Sequence, residues 1–230
     1  MMALKYEDVK QEFIDAVNSD KTCQELYKKI RSGDASYKTG GQLAVRIGEN
    51  LGKVLKKHAP LTNIDEWDLD DLIPRSLGLD HSMISTACKQ IQENMNKKSG
   101  LGIKAKTPKF DYDRVQGLID ELKDHPDTFG DIEKGFYDQL VNFSQNIVDE
   151  SIRENAQLMA RAGIRTLVIR EPDFKACEWC RDVAGTYDYA EVKDTGNDVW
   201  RRHENCRCTI SFVTERNGDF YSEQVENYKK

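Results

Sequence analysis

Four cysteines and a histidine near one end of the chain constrain this sequence more than any other feature. They run C-x2-C at Cys177 and Cys180, then twenty-two residues, then H-x2-C-x-C at His203, Cys206 and Cys208. A Cys-x-x-Cys turn aims two sulfurs at one point about 2.3 Å away, and a tetrahedral zinc then needs only two more Cys or His ligands. The second cluster offers three. Soft sulfur with one imidazole suits zinc best, although iron tolerates the same donors. The expectation is therefore a structural Zn2+ site drawn from Cys177, Cys180, His203, Cys206 and Cys208, with four of the five coordinating. Cys177 and Cys180 are common to every arrangement considered. His203 with Cys206 makes a second knuckle, whereas Cys208 paired with either needs a tighter turn or a strand edge. The connecting GTYDYAEVKDTGNDVW is too polar to order itself, so a metal that closes its ends has an energetic purpose.

Two other readings of these cysteines are weaker. Disulfides belong to an oxidising compartment, and the N-terminal MMALKYEDVK lacks the basic and apolar regions of a secretory signal. A thioredoxin-like dithiol belongs in a βαβ unit, and Pro172 with a later Cys-x-Cys fits that poorly. The remaining cysteines, Cys23 and Cys88, stand alone.

The rest of the chain reads as helices. Tyr6, Val9, Phe13 and Val17 recur at helical spacing, and Cys23, Leu26, Tyr27 and Ile30 do so after Asp20, a candidate cap. The stretch RSGDASYKTGG reads as a loop before a helix whose stripe is Leu43, Ile47, Leu51, Val54 and Leu55, ending before Pro60. An acidic turn follows around NIDEWDLDDLIP, which Pro74 keeps short, and Asp80 is then expected to cap a helix carrying Ile84, Ala87, Cys88, Ile91 and Met95. Gly100 and Gly102 close it. Val115, Leu118, Ile119 and Leu122 mark another helix, stopped near Pro126. The longest periodic run goes from Ile132 through Phe136, Leu140, Phe143 and Ile147 to Met159 and stops at Gly163; at 1.5 Å per residue it spans roughly 45 Å, a spine or an assembly arm.

Beyond Gly163 the pattern turns to short β-type pieces, RTLVIRE, GTYDY and CTISFV, punctuated by glycine and proline. The expected fold class is α+β: a predominantly α-helical body over 1–163, whose long helix leads into a small zinc-stapled β-containing module over 164–230 with a polar C-terminal tail. Residues are 38% hydrophobic and 32% charged, a globular balance, and the net charge of −6 gives no general attraction to nucleic acid or anionic membrane. With no run of about eighteen apolar residues, no membrane partner is expected, and the chain reads as soluble and made in the cytoplasm.

The series Gly163-Ile164, a strand, CEWC, Gly185-Thr186-Tyr187 and RRHENCRCTISF resembles the C-terminal motif of tailed-phage minor head proteins of the phage Mu F-like head morphogenesis family. The resemblance covers about sixty residues. It implies a non-enzymatic phage minor capsid protein of the virion, present in few copies near the portal, with portal and capsid proteins as partners, oligomeric in the phage head and acting in head assembly or in DNA packaging and ejection.

Catalytic readings fit less well. A catalytic zinc keeps one position open for water, and the ligands here close the site. A deaminase needs H-x-E ahead of P-C-x-x-C, which this sequence lacks. A zinc-stabilised phage-associated nuclease or toxin is the alternative, since RRHEN places His203 beside Glu204 and Asn205, but a ligating His203 cannot also be a general base. Arg181, Arg201, Arg202 and Arg207 are expected to offset thiolate charge, with a local DNA phosphate contact as the other reading. Trp179, Trp200, Tyr187 and Tyr189 are expected to pack over the metal loop. His58, His81 and His125 read as surface or capping residues, and the acidic run from Asp65 to Asp71 as a solvated face.

Overall fold

A computed structural model describes residues 3–58, 67–124, 129–194, 196–203 and 206–229, and only the backbone of 129–134. The architecture is α+β. Six helices, α1 (Tyr6–Ser19), α2 (Lys21–Ser32), α3 (Tyr37–His58), α4 (Leu69–Lys98), α5 (Tyr112–Asp124) and α6 (Phe129–Arg161), precede the strands β1 (Thr166–Glu171), β2 (Gly185–Asp188) and β3 (Thr209–Thr214). Short helices α7 (Glu178–Asp182) and α8 (Tyr189–Val192) lie between the strands, and α9 (Asp219–Tyr228) follows them. No helix among the described residues is long and apolar enough to cross a membrane.

The first two helices follow their apolar periodicity. Tyr6, Val9, Phe13 and Val17 are the buried residues of α1. The Asp20 carboxylate accepts the Cys23 N–H at 3.1 Å and caps α2, which ends at Gly33 with φ +84°. The next helix departs from expectation. α3 begins at Tyr37, inside the stretch read as loop, and carries Gly40 and Gly41 within it. Their cost in helix propensity is offset by proximity: a Cβ on Gly40 would lie 3.3 Å from Ile91 Cδ1 and 3.6 Å from Cys88 Sγ. The end predicted before Pro60 falls at His58, and Pro60 itself lies outside the described residues.

Pro74 does not keep the acidic segment short. α4 starts at Leu69, runs through Pro74 and continues to Lys98. Its start is held by the Asp68 carboxylate, which accepts the Asp71 N–H at 3.3 Å, and by acidic residues in the first turn, where the helix dipole favours them. Leu69, Leu72, Ile73 and Leu77 are buried on either side of the proline, and that burial outweighs one missing backbone hydrogen bond. Asp80 is therefore no cap. It lies mid-helix with 0% exposure, 3.0 Å from Ser144 Oγ of α6.

α6 is the spine that the long periodic run predicted. It packs against α3, α4, α5 and the sheet, so even Asn142, Ser144, Gln145, Asp149, Ser151 and Asn155 are buried along it. α3 approaches it most closely at Gly48, where a Cβ would sit 2.9 Å from Val141 Cα and 2.7 Å from Ser144 Oγ. A left-handed Gly163 (φ +75°) stops the helix, with the Ile164 N–H bonding back to Met159 O at 3.0 Å.

The sheet has the order β2-β1-β3 and is antiparallel throughout, with Val168 opposite Tyr187 on one side and Phe212 on the other. Val168, Ile210 and Phe212 join the core of the helical body, where the Phe212 ring lies 5.6 Å from Tyr37. That core runs without a break across the boundary expected at residue 163. On the opposite face Leu167, Ile169 and Val213 pack beneath Tyr221 and Val225. These two residues, four apart, explain why the tail is the helix α9 rather than irregular: one apolar stripe suffices to cover the outer sheet face.

Two expected outcomes follow. Gly48→Ala should destabilise the chain by about 1–3 kcal/mol because backbone cannot yield to the new methyl, while Gly78→Ala, with nothing within 4 Å of its added Cβ, should stabilise α4 by roughly 0.5–1 kcal/mol; urea midpoints compare them. Burial raises the Asp80 carboxyl to about 8, against the smaller opposing effect of Ser144. The folded chain thus holds a proton that an unfolded aspartate loses near pH ~4. This stability is complete below that pH and is lost as pH rises toward 8. Relative to wild type, Asp80→Asn should gain at least about 1 kcal/mol between pH 5 and pH 8 in urea unfolding.

Candidate metal centre

The candidate ligands flank the sheet. β1 ends at Glu171, and Cys177, in extended conformation, is the N-cap of α7, whose buried residue is Cys180. The Arg181 N–H bonds to Cys177 O at 3.1 Å, which closes the first knuckle. The chain then forms β2 and α8 and returns through a 3-10 turn at Asp198–Trp200. In the second knuckle the Cys206 N–H bonds to His203 O at 3.2 Å, and Cys208 directly precedes β3. The ends of the long connection between two paired strands thus meet.

Cys180 is the hub. His203 Nε2 lies 2.9 Å from Cys180 Sγ and 3.3 Å from Cys177 Sγ, and Cys180 Sγ lies 3.8 Å from Cys206 Sγ. Ligand atoms of Cys177, Cys180 and His203 lie within 4.8 Å of one another, as do those of Cys180, Cys206 and Cys208. All five residues line one cavity of about 330 Å³. Metal–sulfur bonds of about 2.3 Å in a tetrahedron place sulfurs roughly 3.8 Å apart, so the Cys180–Cys206 spacing already suits a shared ion. The cluster could hold a metal ion. All six cysteines are free thiols, and Cys177 is the one ligand exposed to solvent.

The surroundings are cationic. Arg202 grips Asp149 of α6 through two hydrogen bonds of 2.6 and 2.8 Å, both side chains being nearly inaccessible, and its remaining nitrogen points at Cys206 Sγ (3.8 Å) and donates to Cys208 O (2.8 Å). Burial opposes the Arg202 charge, and the Asp149 carboxylate more than offsets it, raising its pKa. Arg170 of β1 reaches the Cys180 and Cys206 sulfurs at 3.8 and 3.9 Å, with its guanidinium 5.2 Å from the Trp179 ring. Cys206 and Cys208 share a hydrogen bond, which holds Cys208 down at about 7 and, together with burial, pushes Cys206 up to about 12. A metal takes cysteine as thiolate, so uptake of an ion here would be coupled to proton release.

Other expected site residues divide. Trp179 packs edge-on to His203 at 5.9 Å, as expected of a residue over the metal loop. Trp200 instead lies in the main core, donating to Val192 O, and Tyr189 is buried there too. The Tyr187 hydroxyl donates to Val183 O at 2.9 Å. Of the four arginines expected around the sulfurs, Arg202 is in place and Arg207 lines the cavity facing Glu49 at 3.8 Å. Arg201 is exposed and pairs with Asp198, and Arg181 is exposed. His58 meets Glu12 at 3.3 Å on α1, and His81 stacks edge-on against Phe110. The acidic run is less idle than a solvated face: Asp68 caps α4, Asp70 pairs with Lys123 and Asp71 with Arg75. Asp65, Glu66, His125, Glu204 and Asn205 lie outside the described residues.

Sequence reading missed Arg170 and Asp149. Arg170 had a signal, since it shares its strand face with Val168 in an otherwise apolar run; Asp149 had none, because its partner is distant in the chain. No protein-family model, curated protein or solved structure matches this chain.

Since Cys180 belongs to both ligand triads, Cys180→Ser should abolish uptake of divalent metal, whereas wild type should bind one equivalent and release protons at neutral pH. Metal analysis after dialysis, with a pH-indicator titration, checks both.

Proposed function

We propose that the protein is a non-enzymatic minor head protein of a tailed phage, acting near the portal during head assembly or DNA packaging and ejection, and that its cluster holds one structural zinc. The observation that carries this reading is the closed character of the site. Five soft or imidazole donors line one cavity, and the buried carboxylate of Asp149 is engaged by Arg202 through both oxygens. A hydrolytic zinc needs a vacant position and a nearby base; the five donors outnumber the four places of a tetrahedral zinc, and the carboxylate that lines the cavity, Asp173, accepts the Lys175 N–H at 2.9 Å. Zinc is favoured over iron because the donor set is mixed and the ion is asked only to fix geometry.

The order CEWC, Gly185-Thr186-Tyr187, RRHENCRCTISF supports the phage head assignment through its resemblance to the Mu F-like family. The long α6 spine, rigidly tied to the metal loop through Asp149, gives a body suited to holding partners such as portal and capsid subunits in a virion. In the nuclease or toxin alternative His203 would be the base; its Nε2 faces two cysteine sulfurs instead, which favours ligation.

Coexpression with the portal and capsid proteins of a tailed phage provides the test. The wild-type chain should cosediment with procapsids, and Cys180→Ser should not. Degradation of DNA or RNA by the zinc-loaded protein, abolished by His203→Ala with zinc content unchanged, would refute the assembly reading.

A further inference from the structure

Arg170 is 1% exposed, the largest side chain of the fully buried set, and no carboxylate pairs with it among the described residues. Its Nη1 donates to the carbonyl oxygens of Asp198, Val199 and Arg201 at 3.2, 2.6 and 2.8 Å, its Nη2 points at the sulfurs of Cys180 and Cys206, and its Nε has no hydrogen-bond partner. A guanidinium does not lose its proton in a protein, and a buried charge without a counter-charge is strongly unfavourable. Three carbonyl dipoles orient this cation without neutralising it. Among the described residues the anions within reach are the two sulfurs, and only as thiolates.

Charge bookkeeping then restricts the centre. Arg202 and Asp149 cancel each other. Asp173, Lys175 and Arg207 line the cavity but are partly or fully exposed, where solvent screens them. Arg170 is left as one uncompensated buried positive charge. A divalent ion with three thiolates and one neutral imidazole carries one negative charge and balances it; an ion with four thiolates carries two, one more than this cation balances.

We propose that Arg170 is the fixed counter-cation of the metal centre and selects a ligand set of three thiolates with His203. Cys180 and Cys206, which its guanidinium faces, supply two of the thiolates, and either Cys177 or Cys208 supplies the third. Arg170 is a positioning residue: it touches sulfur rather than the ion, and it also ties β1 to the carbonyls that lead into His203. This proposal rests on the zinc reading above and adds to it the composition and charge of the site.

The test uses the full chain, with zinc affinity measured by chelator competition and folding followed by circular dichroism. Arg170→Gln, which can still donate to the carbonyls but carries no charge, should weaken zinc binding about 10–100-fold, the range for residues that support metal ligands. Arg170→Lys, which keeps the charge, should remain within about tenfold of wild type by the same measure. Equal affinities for the two variants would overturn the charge assignment. Ligand composition is read without any change at Arg170: His203→Ala should abolish tight binding and one of Cys177→Ser and Cys208→Ser should retain it. Cobalt in the wild-type chain should give the visible spectrum of tetrahedral three-sulfur, one-nitrogen ligation. Retention by His203→Ala, or a four-sulfur cobalt spectrum, would overturn the proposal while leaving the structural metal reading intact. A wild-type chain that binds no metal would overturn both.

Discussion

The convergence of sulfur on Cys180 is the constraint around which the C-terminal part of this molecule is organised. β1 and β3 pair along their full length, yet the chain leaves β1 at residue 172 and returns to β3 only at residue 209. Residues between them form a four-residue strand, short helical turns and polar loops; Tyr189, Val192, Val199 and Trp200 in the middle of this connection reach the main core, while its two ends bury a small cluster of Ala176, Cys180, Cys206 and Cys208. Closing those ends costs chain entropy that so small a cluster offsets poorly. Placing one pair of cysteines just after β1 and another just before β3 would let a single ion fasten both ends. Metal affinity would then become folding free energy for this region.

The helical body is joined to that region by charge as well as by the shared core. Asp149 lies on the buried face of α6, and the arginine it binds sits among the ligands, so the spine and the metal loop form one electrostatic unit. The pairing is bidentate and almost completely desolvated. Removing either partner would strand the other's charge, a cost larger than the net worth of the pair. The same logic applies with more force to Arg170, whose one counter-charge among the described residues is the sulfur cluster itself.

Much of the fold was legible because burial imposes periodicity. The stripes of α1 and α5 could be read residue by residue, that of α2 with Tyr27 only partly buried and that of α6 from Phe136 onward, the side chain of Ile132 lying outside the described residues, and Cys88 could be placed in the core. Failures fell where a local rule lost to packing. Gly40 and Gly41 read as loop residues, but α3 uses the missing side chain of Gly40 to approach α4, and Gly41 faces Thr209 of β3. Pro74 read as a stop, but four buried leucine and isoleucine side chains carry α4 through it. Asp80 read as a cap because an aspartate before an apolar stripe usually is one; only the position of Ser144, 64 residues further on, shows that it is buried. α9 rests on two apolar residues, too few to stand out in a polar sequence. At the site, spacing alone identified the five candidate ligands, since metal chelation demands local turns. Spacing could not identify Asp149, whose role depends on tertiary proximity, and of the arginines it placed around the sulfurs Arg202 and Arg207 are there while Arg181 and Arg201 are exposed; the second buried cation, Arg170, went unread.

X-ray absorption at the zinc edge of the purified full-length chain tests the central claim most directly. The account predicts a single four-coordinate zinc with a sulfur-dominated first shell at about 2.3 Å and a minor nitrogen contribution near ~2.0 Å. A shell of oxygen and nitrogen alone, or protein that carries no zinc after expression in zinc-replete medium, would contradict it.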